Sequence, residues 1–116
     1  MKYLLTSGGV SNKTIEDEMW RLLGVSEPQT ANLGSNGLMV RREGVKLLFC
    51  TTASNYNGGD MTQWLIPDLM RLCEFGFEID ICDINGIPKE LFMPRFEWAD
   101  VLYFEGGNTQ WLKKCI

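Results

Sequence analysis

The sequence predicts an α/β fold built on a mostly parallel sheet, and three observations predict it. Strand-like apolar runs alternate with segments of helical periodicity, the order that lays helices on the faces of a parallel sheet. The run Val45-Lys-Leu-Leu-Phe-Cys-Thr-Thr52 is nearly unbroken in its apolar character, as in strands covered on both faces. The stretch from Ala99 to Thr109 passes from an apolar strand straight into Gly106-Gly107 and an Asn/Thr pair suited to cap a helix. In such sheets ligands gather at the carboxyl ends of the strands.

Taken in order, Tyr3 to Thr6 reads as a short buried strand that stops at Ser7-Gly8-Gly9, since paired glycines end a strand and permit a tight turn. A helix follows. Asn12 or Thr14 can cap it, Thr14 with Asp17 resembles a capping box, and Ile15, Met19, Leu22 and Leu23 recur at helical spacing before Gly24. Ser26 to Gly44 reads as loop, with Leu38-Met39-Val40 as a short strand or one helical turn inside it. Val45 to Thr52 is the second strand, and Ala53 to Asp60 a small-residue loop turning at Asn57-Gly58-Gly59. The next helix spans Met61 to Phe75, and Pro67 makes it start late or kink, because proline removes a helix hydrogen bond. Phe77 to Ile84 alternates apolar with polar residues, which suits a strand near a sheet edge. A short helix over Pro94 to Trp98, a strand over Val101 to Phe104 and a final helix started at Asn108 or Thr109 complete the pattern.

Composition narrows the function. The 116 residues carry 45% hydrophobic side chains, enough for one domain with a real core. Lys+Arg 11 against Asp+Glu 15 leaves a net charge of -4, and the basic pairs Arg41-Arg42 and Lys113-Lys114 are no stripe. Nucleic acid is therefore excluded as an expected partner, because phosphate binding needs clustered cations. No apolar run approaches the length of a membrane span or signal peptide. Cys50, Cys73, Cys82 and Cys115 form no CxxC pair and read as reduced thiols of a cytoplasmic protein.

Several chemistries lack their residues. There is no GxGxxG after the first strand, no GxxxxGK and no GxSxG at any serine. The chain has no histidine, so it holds no Ser-His-Asp triad, and the scattered cysteines offer no zinc site. Asp80 and Asp83 could hold a hard cation, but acids at strand edges are ordinarily just solvated. Trp20, Trp64, Trp98 and Trp111 fall on helices and read as packing residues. There remains Glu105-Gly-Gly-Asn-Thr109. It fits a strand-to-helix turn with a good N-cap, and equally a turn in which Gly107 lacks a side chain so that its N–H can meet a substrate oxyanion.

The run Gly106-Gly-Asn-Thr-Gln-Trp-Leu112 resembles the peptidase E and cyanophycinase-like group of serine hydrolases. So do the opening Leu4-Leu-Thr-Ser-Gly-Gly9 and the strand end Phe49-Cys-Thr-Thr-Ala-Ser54, where that group places Pro-Thr-Ala-Ser or a variant. The resemblance covers essentially the whole chain. It implies a flavodoxin-like three-layer sandwich, as in class I glutamine amidotransferases, with residues 1–116 as a single α/β domain matching the N-terminal half of the family fold.

The activity implied is hydrolysis of short peptides, Asp-initiated in peptidase E itself, by a serine on a Gly-x-Ser-Ala-Gly elbow. Gly107 carries over as the oxyanion-hole donor, with Gly106, Asn108 and Thr109 beside the substrate. The nucleophile, the histidine and the acidic third member follow the Gly-Gly-Asn-Thr helix in that family. No residue up to Ile116 takes those roles, Cys115 included. On this reading the chain is a truncated half, inactive alone, that meets a short peptide only when completed by a C-terminal half. It is also expected to form a homo-oligomer across the sheet edge left unpaired. The alternative is a non-catalytic binding or interaction module that reuses the half-fold. Neither reading calls for a cofactor or a metal.

Overall fold

The computed structural model describes residues 4, 9–24, 44–56 and 62–116, with backbone alone at 62 and 63. They fall in two compact units, Met1–Arg41 and Arg42–Ile116. Apart from Leu4, the expected strand over Tyr3 to Thr6 lies outside the described residues. So do the expected loop from Ser26 up to Glu43 and the Asn57-Gly58-Gly59 turn.

In the first unit, helix α1 spans Lys13–Leu22. Of the two candidate caps it is Asn12 that serves: its backbone is extended, and its side chain accepts from the Ile15 N–H at 2.9 Å, satisfying one of the orphan donors of a first turn. Met19 and Trp20 are the buried residues of the helix, and Gly24 closes it at a φ of 77°. Lys13 with Asp17 and Arg21 with Glu18 pair along its solvent side, exposed contacts that add little.

The second unit holds three strands, β1 (Lys46–Cys50), β2 (Glu78–Cys82) and β3 (Val101–Phe104), all parallel in the order β2-β1-β3. Strand β1 is central, and Leu47, Leu48, Phe49 and Cys50 are all buried, as an unbroken apolar run demands. Strand β2 is an edge among the described strands, and its burial does not follow the apolar alternation: Ile81 is 50% exposed while Cys82 is buried.

Helices α2 (Thr62–Glu74), α3 (Lys89–Trp98) and α4 (Thr109–Cys115) complete the unit. From β1 the chain steps to β2 on one side and then returns across β1 to β3 on the other. Right-handed crossovers in both directions put α2 and α3 on opposite faces. The side chains agree. Leu48, Cys50 and Cys82 share a cluster with Phe92, Met93 and Phe96 of α3. On the other face Tyr103 stacks on Phe49 at 5.2 Å and senses Asp68 and Arg71 of α2.

The sequence pattern has Pro67 start its helix late or kink it and Pro94 start a short helix, and the structure places each inside a helix. Helix α2 runs through Pro67, and α3 begins at Lys89, with Pro88 at the N-cap position, rather than at Pro94. An interior proline costs about 3 kcal/mol. In α3, burial of Phe92, only 2% exposed, returns roughly 1.5–3 kcal/mol, and Arg95 adds an ion pair to Asp80. Tertiary contacts of this kind outweigh local propensity.

Candidate functional site at the end of β1 and β3

The strand order reverses between β1 and β3, because the chain leaves β1 toward β2 and comes back to β3 on the far side. The loops that follow these two strands therefore diverge at the carboxyl edge, where α/β sheets bind ligands. The loop after β1 is a tight buried turn. The Thr51 carbonyl accepts from the Ser54 N–H at 3.0 Å, the Asn55 N–H at 3.0 Å and the Ser54 hydroxyl at 2.8 Å. Thr51, Thr52, Ala53 and Ser54 are all buried.

After β3, the Glu105 N–H extends the ladder to the Cys50 carbonyl at 3.0 Å. Two residues later Gly107 takes a φ of 150°, and a Cβ built there would lie 2.2 Å from the Ala53 oxygen and 2.8 Å from the Ser54 nitrogen. Only glycine lets the two loops approach so closely. The next amide, Asn108 N–H, binds that same Ala53 oxygen at 2.9 Å. The Asn108 side chain then accepts from the Trp111 N–H at 2.9 Å and starts α4.

Of the residues singled out from the sequence, Gly107 and Asn108 are thus brought against Ala53 and Ser54. Gly106 is exposed with open space where a Cβ would stand, and Thr109 is exposed at the first position of α4. Among the described residues the Gly107 N–H donates no hydrogen bond. The serine beside the turn is no free nucleophile: Ser54 is 0% exposed and its hydroxyl is spent on the Thr51 carbonyl.

Two acids at this edge acquire a role only in the structure. Asp83 follows β2 and ties the loops together. Its Oδ1 accepts from the Thr52 hydroxyl at 2.9 Å and the Asn85 N–H at 3.0 Å, and its Oδ2 from the Asn55 amide at 2.9 Å. Burial pushes its carboxyl up, but the bonds from Asn55, Asn85 and Thr52 outweigh burial and hold it below the usual range. Glu105 is the opposite case. It is 5% exposed with a buried Oε2 that has no partner among the described residues, and burial first, then Asp68 beside it, push its carboxyl up to about 8. Its position is legible in one respect: two residues beyond Tyr103, it shares that residue's sheet face.

Neither Asp80 within β2 nor Asp83 just beyond it is set for a cation. Asp80 faces Arg95, Asp83 is saturated by donors, and among the described residues no three Cys, Asp or Glu are grouped to hold a metal. Among the same residues no helix is long and apolar enough to cross a membrane. The cysteines are free, Cys50 and Cys82 buried and Cys73 exposed. No family model matches the chain, and no curated protein or solved structure matches it either.

Proposed function

We propose that this chain supplies the oxyanion-holding part of a cytoplasmic serine hydrolase of the peptidase E-like group, on the flavodoxin-like three-layer sandwich of class I glutamine amidotransferases. The substrate class is a short peptide, and an N-terminal aspartate is the preference the resemblance suggests. The observation that carries the reading is Gly107. Its conformation and its contact with Ala53 exclude any side chain, while its N–H, unlike that of Asn108, is committed to no acceptor among the described residues. A turn fixed against Ala53 by a close backbone approach, with one amide unspent, is what a developing oxyanion requires. Gly106, Asn108 and Thr109 would flank the scissile peptide.

The chemistry needs a nucleophile and a base from other sequence, since there is no histidine in these 116 residues and Ser54 is occupied. By itself the chain is expected not to turn over an Asp-initiated dipeptide above buffer, because an oxyanion hole alone gives only residual catalysis. The test is to read the coding region after residue 116 and to express the joined polypeptide. A Gly-x-Ser-Ala-Gly elbow with a histidine, and cleavage of the dipeptide, would support the reading. Joined sequence without either, or turnover by the 116-residue chain alone, would defeat it, the former in favour of a non-catalytic interaction module.

A further inference from the structure

Glu105 has no task in the site just described, yet it is built into it. Its Oε2 is sealed from solvent without a hydrogen-bond partner among the described residues, an arrangement a neutral carboxyl tolerates far better than a charged one. From α2 it is faced by Asp68, which pairs in turn with Arg71 at 3.5 Å. From its own strand it is faced by Tyr103, whose phenol burial pushes up. Arg71 supports a charge on Asp68 but not a second one on Glu105, and two close carboxylates do not readily ionise together. The backbone links this cluster to the turn. Glu105 sits on the Cys50 carbonyl, and three residues on, Asn108 makes the described backbone bond from the turn to Ala53.

We propose that Glu105, while protonated, donates to the Asp68 carboxylate and latches the end of β3 to α2, and that loss of this proton to solvent releases the Gly106-Gly107 turn from Ala53. Charging Glu105 places a second anion in a dry site, and the cheapest relief is for the last residue of the β3 ladder to move toward water. The turn follows, because only two residues separate Glu105 from Asn108. The latch rests on the geometry of the turn and stands whether or not the hydrolase reading does.

Carbon-detected NMR of the uniformly labelled chain tests it across pH ~5 to ~10, a range that brackets an acid with strongly raised affinity for its proton. The Glu105 side-chain carboxyl carbon is expected to titrate with a midpoint near 8, and the Ala53 carbonyl carbon to shift upfield with the same midpoint as its bond from Asn108 is lost. In Glu105→Gln the Ala53 signal should stay at its low-pH position throughout. Asp68→Asn should lower the Glu105 midpoint by about one unit or more. Titration of Glu105 in the ordinary carboxylate range, or an Ala53 carbonyl that does not move while Glu105 titrates, would overturn the latch. Both of those outcomes are read on the unaltered chain, so neither depends on a variant folding.

Discussion

Asp83 and Glu105 each stand one residue beyond a parallel strand, β2 and β3, at the same edge of the sheet, and their surroundings make them opposites. Asp83 receives hydrogen bonds from Thr52, Asn55 and Asn85 and is held charged. Glu105 is more deeply buried, has an orphan oxygen, and lies against another acid. The place of an acid in the topology does not settle its charge; the donors that reach it do. Around Asp83 the loops after β1 and β2 are stitched into one piece. Among the described residues the turn after Glu105 rests on a close backbone approach at Gly107 and one backbone bond from Asn108.

The comparison breaks first at Gly107. Gly107→Ala would drive a methyl into the Ala53 carbonyl, 2.2 Å from the Cβ position, at a φ of 150°. Backbone on both sides leaves nothing flexible to yield, so the variant is expected to lose about 3–5 kcal/mol or not to fold. Gly106→Ala has open space and should stay within about 0.5 kcal/mol of the parent. Urea unfolding of the pair measures the contrast. Equal losses at the two positions would mean that the close approach does not exist in solution.

Next in size is removal of the Asp83 carboxylate. Thr52 is 0% exposed and gives its hydroxyl proton to Asp83, while its oxygen accepts from the Ile84 N–H at 2.9 Å. Asp83→Ala strands that donor, at a cost of about 2 kcal/mol. Glu105→Gln strands nothing that is now paired through Oε2 and relieves the pairing of a buried acid with a partly buried one. It should therefore be neutral at low pH and stabilising at pH ~8.

How far the sequence revealed this arrangement differs from element to element. The run over Val101 to Phe104 and the Asn108 cap are local signals, and the structure has both where they are expected. Pro94 misleads, because the decisive term for α3 is burial of Phe92 against β1 and β2, a contact no local pattern contains. Gly107 can be singled out as a glycine in a strand-to-helix turn, but the reason for it is the Ala53 carbonyl, over 50 positions away in sequence. The Glu105 and Asp68 pair requires knowing that α2 covers the Tyr103 face, which follows from strand order and not from spacing. The Asp83 stitching likewise joins Thr52, Asn55 and Asn85 across two loops.

The pH dependence of stability separates the acids in one experiment. Glu105 binds its proton more tightly folded, up to about 8, than at its ordinary value of 4.5. Between those values the native state holds a proton the unfolded chain has shed, so stability falls as pH rises. After relaxation of the site the fall should total about 1–2 kcal/mol. Asp80 and Asp83 act in the other direction, since both are held below their ordinary value of 3.8. What they contribute is complete above that value and is lost as pH falls below it. Denaturation midpoints are therefore expected to peak near pH ~4–5, between the two limbs. Glu105→Gln should flatten the alkaline limb alone, and a flat limb in the parent chain would refute the raised affinity of Glu105.

The smallest effect belongs to Arg95, which distinguishes an acid paired near the surface from the two at the strand ends. Its Nε donates to Asp80 Oδ2 at 2.7 Å, and its Nη2 to Asp80 Oδ1 at 2.6 Å and to the Ile81 carbonyl at 2.8 Å. The geometry is a bidentate fork, the strongest form of such a pair. Yet the side chains are 39% and 34% exposed, so solvent screens most of the attraction, and Arg95→Ala should cost about 1 kcal/mol or less. The hydrogen bond from Arg95 is the chief cause of the low Asp80 value. The variant should therefore weaken the acid limb of the stability profile and leave the Glu105 limb where it was. A variant that instead shifted the alkaline limb would show that the two faces of the sheet are electrostatically coupled, contrary to their separation across β1.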